Sequence, residues 1–431
     1  MQREFDRESE RAATAAESTV LTTLDAAVPP GLGPEQSPWG DVPIRPVPTP
    51  EAGDAVIPFN KPFIAGRELY HIAKTVTYER IAADGAFTRE CSRLLEERFG
   101  IRRVLMVTSC TAALEMAAML CELEPGDEVI MPGFTFVSTA SAVVRAGGRP
   151  VFVDIRPDTL NIDEEEVERA ITPRTRAILP IHYAGVGAEM NDLCRLADDH
   201  GLRIIEDAAQ AVNARYRGRA LGSIGDLGCF SFHETKNYVS GEGGALCIND
   251  PALVERAEIL RDKGTNRQQY FRGQADKYTW VDVGSSFAQS EILCAFLYAQ
   301  LEVMDSLLAL RGKIYNWYVE HMSPLERAGL LSLPKHPAHC ESNSHIFFVL
   351  LPDEEIRDGL MNYLAERNIH AVFHYVPLHT SPMAKKLGCA TPSLPVTEAM
   401  SSRLLRLPFY YELREEDIVR IARTIRAYLA Y

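Results

Sequence analysis

Between residues 104 and 249 the chain alternates short apolar runs with stretches whose apolar residues recur at helical spacing, and this alternation limits the fold more than any other feature. It points to an α/β architecture, a mostly parallel central sheet flanked by helices. Residues 104–107, 128–131, 150–155, 177–181 and 203–207 read as strands. Leu114, Ala117, Ala118 and Cys121 stripe one intervening helix, residues 138–145 form another, and Met190, Leu193, Cys194 and Ala197 stripe a third. Asp163 with Glu166 has the form of a capping box. After Cys229 the runs 229–232 and 245–248 follow closely, joined by a polar, glycine-rich loop, as expected of neighbouring or hairpin-like strands at one side of the sheet. From residue 307 a long helical stretch leads to a strand at 346–351, a helix at 356–364 and a strand at 371–374, a small C-terminal α+β domain.

The expected organisation is therefore an extension at 1–56, a large domain at 57–306 and a small one at 307–431. The extension holds 8 of the 26 prolines and 4 arginines against 10 acids, so it carries -6 of the net charge of -14. Its apolar residues have no sustained period, which is expected of a disordered, acidic segment. It lacks the basic start and apolar run of a signal peptide. An acidic balance of 59 against 45 basic residues disfavours nucleic acid as a partner. Nine cysteines, never closer than eleven residues, offer no CxxC metal pair and fit reduced thiols in a cytoplasm. The uncharged run 129–144 contains Pro132 and Gly133 and is too short to span a membrane.

Three local signals bear on chemistry. Glu206-Asp207-Ala208-Ala209-Gln210 ends a predicted inner strand, where side chains of a doubly wound sheet meet ligands; alone, Asp207 could equally cap a helix. Lys236 follows the apolar run 229–232 and precedes Gly241-Glu242-Gly243-Gly244, a setting suited to a cleft rather than to solvent. Thr108-Ser109-Cys110-Thr111 stands at a strand-to-helix junction, where unpaired N–H groups and hydroxyls form a phosphate cup, although plain N-capping needs no ligand. In order along the chain these are a phosphate anchor, a carboxylate and an amine.

The segments FNKPFIAGREL, TSCTAALEMAA, MPGFTFVSTA, HYAG, EDAAQ, GCFSFHETKN, GEGGA and FHYVPLH, in this order, resemble the DegT/DnrJ/EryC1/StrS sugar aminotransferases over nearly all of residues 57–431. Within that family the similarity is to enzymes that aminate C4 of dTDP-4-keto-6-deoxy-D-glucose, for glycans or glycosylated natural products. The resemblance implies fold type I of the PLP-dependent transferases, pyridoxal 5'-phosphate as cofactor, L-glutamate as donor leaving as 2-oxoglutarate, and a homodimer or larger assembly. It implies that Lys236 binds the cofactor covalently, that Asp207 faces its pyridine nitrogen and that Gln210 bonds its ring hydroxyl. It likewise implies that Ser231 and the N–H groups of Cys110 and Thr111 hold the phosphate and that Phe136 stacks on the ring. Ser286 stands where many relatives have an asparagine that reaches the neighbouring subunit's phosphate, and His379 is a candidate for sugar contact. Two alternatives are weaker. Related sugar dehydratases replace the lysine with histidine, and regulatory proteins of this fold usually append a basic helix-turn-helix unit that this chain does not resemble.

Overall fold

The computed structural model describes residues 55–78, 80–391 and 393–430. The acidic, proline-rich extension lies outside the described residues except for its last two. Seven strands form the main sheet: β1 (Arg103–Val107), β2 (Glu128–Pro132), β3 (Arg149–Val153), β4 (Thr175–Ile178), β5 (Arg203–Asp207), β8 (Leu227–Ser231) and β9 (Gly244–Ile248), in the order β1-β9-β8-β5-β4-β2-β3. β6 (Arg215–Tyr216) and β7 (Arg219–Ala220) form a small separate ribbon with β10 (Cys340–Glu341). Neighbours from β3 to β8 run parallel, whereas β9 is antiparallel to both β8 and β1. The close runs after Cys229 are thus antiparallel neighbours, but β9 is inserted inside the sheet and β1 takes the edge.

Alternate residues of each strand enter different cores. Val104, Met106, Ile130, Ile204, Phe230 and Ala245 belong to one apolar cluster, and Leu105, Val107, Val129, Ile205, Cys229 and Leu246 to another. Both faces are therefore covered, which is why the strands read as continuous apolar runs instead of alternating ones. The helices Cys110–Leu120, Val137–Arg145 and Met190–His200 follow β1, β2 and β4.

Several sequence expectations change in detail. β4 ends at Ile178, before Pro180, which has no N–H to give a ladder; only an isolated bridge from Ile181 to Asp207 continues the extended path. Asp163 caps the helix Glu164–Ala170 by accepting from the N–H groups of Glu165 and Glu166. The Glu166 carboxylate pairs with Arg169 instead of reaching back, so the box is half formed. The strand expected at 371–374 is a single bridge between Val372 and Arg406, because Tyr375 at φ 37° and Pro377 stop it from propagating. The partner of β11 (Phe348–Leu350) is instead β12 (Leu404–Arg406), antiparallel.

Residues 56–266 and 279–431 make one compact unit. Its C-terminal part has its own apolar cluster, with Tyr318, Phe347, Val349, Leu405, Ile418 and Ile421 at its centre. The segment 267–278 belongs to a separate unit and carries the short helix Arg267–Phe271, with the Arg267 guanidinium 4.9 Å from the Phe271 ring centre. Among the described residues no single helix is long and apolar enough to cross a membrane, and no group of His, Cys, Asp or Glu is placed to hold a metal ion.

Candidate active site

The carboxyl ends of the parallel strands and the amino end of the reversed strand β9 meet at one side of the sheet, where they border a cavity of about 480 Å³. Cys110, Thr111, Phe136, Asp207, Gln210, Ser231 and Lys236 all line it. Ser286 is exposed and not among the lining residues; it bridges Asp262. His379 is fully buried elsewhere, its Nε2 3.0 Å from Glu398 Oε1.

The helix start expected to cup a phosphate is shaped by local chain geometry. Ser109 Oγ accepts from Ala112 N at 3.0 Å and caps the Cys110–Leu120 helix, leaving the first N–H groups of the helix without intrahelical partners. Thr111 Oγ1 donates to Ser138 Oγ at 2.9 Å. Register pairs Ser231 with Gly244 and Gly244 with Val107, which brings the Ser231 hydroxyl beside the helix start. Gly244 is required there, since a Cβ on it would lie 2.4 Å from Ser109 C and 2.5 Å from Cys110 N.

Asp207 ends β5 and is buried. Its Oδ2 accepts from Thr139 Oγ1 at 2.9 Å and its Oδ1 from Ala209 N at 3.2 Å. Burial raises the pKa of this carboxyl, with the two hydrogen bonds and the nearby Lys236 and His182 acting against it. Gln210 is oriented by its own surroundings: Oε1 accepts from Ala184 N at 2.8 Å, so Nε2 is turned the other way and donates to Tyr375 Oη at 2.8 Å. One of its two hydrogens is left over.

Lys236 lies in the loop between β8 and β9, a turn held by bonds from Glu234 N to Gly241 O and from Lys236 N to His233 O. Burial lowers the pKa of its amine; Cys110 and Asp207 oppose the shift, and Arg406 adds to it. His345 and His374 complete the wall. His345 Nδ1 lies 2.8 Å from Asn237 Oδ1, and His374 Nδ1 lies 2.7 Å from Tyr183 Oη. Burial, followed by neighbouring cations, holds both imidazoles well below their usual pKa, so they stay neutral. Among the wall residues, Phe59, Asn60, Thr139 and Tyr375 lie in segments that carry the resemblance but have no role implied there, and Arg406 lies outside those segments.

A family model for the DegT/DnrJ/EryC1/StrS aminotransferases matches residues 64–426. The chain belongs to that family. It is 37% identical over 329 residues to the UDP-N-acetyl-3-dehydro-alpha-D-glucosamine 3-aminotransferase of Acidithiobacillus ferrooxidans, covering 76% of this chain and 84% of that one. It is 31% identical over 381 residues to the spore coat polysaccharide biosynthesis protein SpsC of Bacillus subtilis, covering 86% and 96%. The solved PLP form of Spr1654 from Streptococcus pneumoniae superposes with a TM-score of 0.80 at 27% identity, over 87% of this chain and 99% of that one. The protein is a PLP-dependent sugar aminotransferase with the expected α/β fold.

The residues present fit the cofactor. A helix N-terminus with spare donors, kept clear by Gly244, suits a phosphate. The buried Asp207 carboxylate has two neutral donors and no bonded cation, which suits a protonated pyridine nitrogen.

Proposed function

We propose that the chain transfers the amino group of L-glutamate to C4 of dTDP-4-keto-6-deoxy-D-glucose, giving a dTDP-4-amino-4,6-dideoxyhexose and 2-oxoglutarate. The observation that carries the site assignment is the convergence of Lys236, Asp207 and Gln210 on one cavity beside the Cys110 helix start. The C4 reading is supported by the ordered segments that resemble the 4-aminating enzymes.

Bound pyridoxal phosphate supplies an electron sink that stabilises a carbanion at the substrate carbon. Lys236 would hold the cofactor through Nζ, and its amine, when free, would take a proton from the donor's α carbon and return one to the sugar's C4. Its lowered pKa leaves more of the amine unprotonated for that task. Asp207 keeps the ring nitrogen protonated, and Thr139 and Ala209 N hold the carboxylate in place. The free Nε2 hydrogen of Gln210 would donate to the ring hydroxyl oxygen, and Phe136 would cover the ring. Ser231 and the N–H groups of Cys110 and Thr111 bind the phosphate. In this reading residues 57–306 carry the cofactor and 307–431 form the smaller lobe. A second copy of the chain completes the site, with Ser286 serving the partner's phosphate.

NMR of the product made from dTDP-4-keto-6-deoxy-D-glucose, pyridoxal phosphate and L-glutamate tests the reading. Nitrogen on C4 is expected, axial or equatorial reporting the galacto or gluco epimer; an unchanged sugar overturns it. A second reading, amination at C3 of a UDP-linked 3-keto sugar, is favoured by the activity that names the Acidithiobacillus relative. Turnover of such a sugar in the same assay, without turnover of the dTDP substrate, would establish it.

A further inference from the structure

Two arginines near the cavity, Arg311 buried and Arg406 partly buried, differ in one respect. Arg311 is satisfied: Nε donates to Ser344 O at 3.0 Å, Nη2 to His345 O at 2.5 Å, and the guanidinium lies 4.5 Å from the Phe409 ring centre. Arg406, at the end of β12, has its backbone tied to Val372 by bonds of 2.8 and 3.1 Å, which fixes where the side chain starts. Its guanidinium lies 4.7 Å from the Phe59 ring centre and lines the cavity. Nε is buried without a partner, and among the described residues Arg406 has no ion pair or side-chain hydrogen bond.

An unpaired guanidinium in partly desolvated surroundings is costly, and Arg406 shows it: burial lowers its pKa. Two carboxylates line the cavity. Asp207 is already bonded to Thr139 and Ala209, and Glu242 is exposed, 3.6 Å from His233. The remaining groups facing this corner are Lys236, Tyr183, Tyr375 and the neutral His345 and His374, so the local charge is positive and calls for an anion. The cofactor phosphate has its own cup at the Cys110 helix start.

We propose that Arg406 receives a carboxylate of the amino donor, so that the enzyme takes an amino acid rather than a simple amine. The planar fork of an arginine matches a carboxylate in two parallel bonds, and the Phe59 ring beneath it keeps that plane fixed. Arg406 and Lys236 share one cavity, so a small amino acid can place its α carbon by Lys236 while its carboxylate meets the fork. The inference rests on the reading of the cavity as the transamination site.

Glutarate, an unreactive five-carbon dicarboxylate, is the probe, titrated by calorimetry into PLP-loaded wild type and Arg406→Gln; dTDP is titrated in parallel. Glutarate binding is expected to weaken about 30-fold in the variant, the effect of one lost charge-assisted pair, with dTDP binding unchanged. On wild type, glutarate should compete with L-glutamate. Equal glutarate affinity in the two proteins, no glutarate binding to wild type, or an equal loss for dTDP overturns the assignment. Cofactor absorbance verifies that the variant is folded, and the wild-type competition needs no variant. A different sugar acceptor would overturn the C4 reading while leaving the glutarate result intact.

Discussion

Glu206 and Asp207 are consecutive carboxylates on one strand, and alternation sends them to opposite faces of the sheet. Glu206 is completely buried and accepts four bonds: from the N–H groups of Ile224 and Gly225 on Oε1, and from Gly222 N and His182 Nε2 on Oε2. His182 carries its proton on Nε2, because its Nδ1 accepts from Ala188 N. Asp207, one residue on, has two donors and faces the cavity. Arg311 and Arg406 repeat the contrast with the opposite charge. In these two pairs the saturated member, Glu206 or Arg311, lies inside the fold, and the less saturated one, Asp207 or Arg406, lines the cavity.

The contrast can be broken by substitution, beginning with the largest effect. Lys236→Ala should lower the rate of amination about 1,000-fold or more in a product assay, and borohydride should no longer fix the cofactor to the chain. Full activity in this variant would refute the cavity as the catalytic site. Asp207→Asn should cost about 100-fold or more in turnover with little change in denaturation midpoint. Glu206→Gln should do the reverse: it turns an amide N–H₂ toward backbone donors and costs about 3 kcal/mol of stability by chemical denaturation. If Asp207→Asn unfolds the protein and Glu206→Gln does not, the comparison is wrong.

Gly244→Ala should cost about 2 kcal/mol and weaken cofactor retention, because the new methyl group meets backbone rather than a movable side chain. The smallest effect is in pH. His345 and His374 have folded-state pKa values below the usual 6.5, so the unfolded chain binds protons that the folded one does not. Their contribution to stability is full above about pH 6.5 and is lost progressively as the pH falls toward the depressed values. Thermal midpoints should decline between pH 7 and 5, and His374→Asn should flatten part of that decline.

Legibility in the sequence followed how local each signal was. β5, β8 and β9 announce themselves as apolar runs, and Asp207, Ser231 and Lys236 stand at or just beyond their ends, so their shared cavity follows from topology. β12 is three residues long and directly follows the helix Pro395–Arg403, too short for any periodic pattern. Its weak trace is Arg406 alone among Leu404, Leu405, Leu407 and Phe409, a charge in an otherwise apolar run. Phe59 and Arg406 meet only through tertiary packing across most of the chain. His379 shares its segment with cavity residues but turns into the fold, where Glu398 takes its proton donor. Ser286 lies on the exposed side of a bridge and meets nothing in the cavity of its own chain.

The inserted strand β9 also bears on the order in which the site is assembled. β8 and β9 can zip as a hairpin with Lys236 in its loop, a closure of short range. β1, which leads into the helix Cys110–Leu120, pairs with a strand far along the chain, so its docking closes a much larger loop. The amine therefore sits on a short-range closure, and the helix start at Cys110 depends on a long-range one. A ligand that needs both stabilises the finished sheet, in which the two closures are complete.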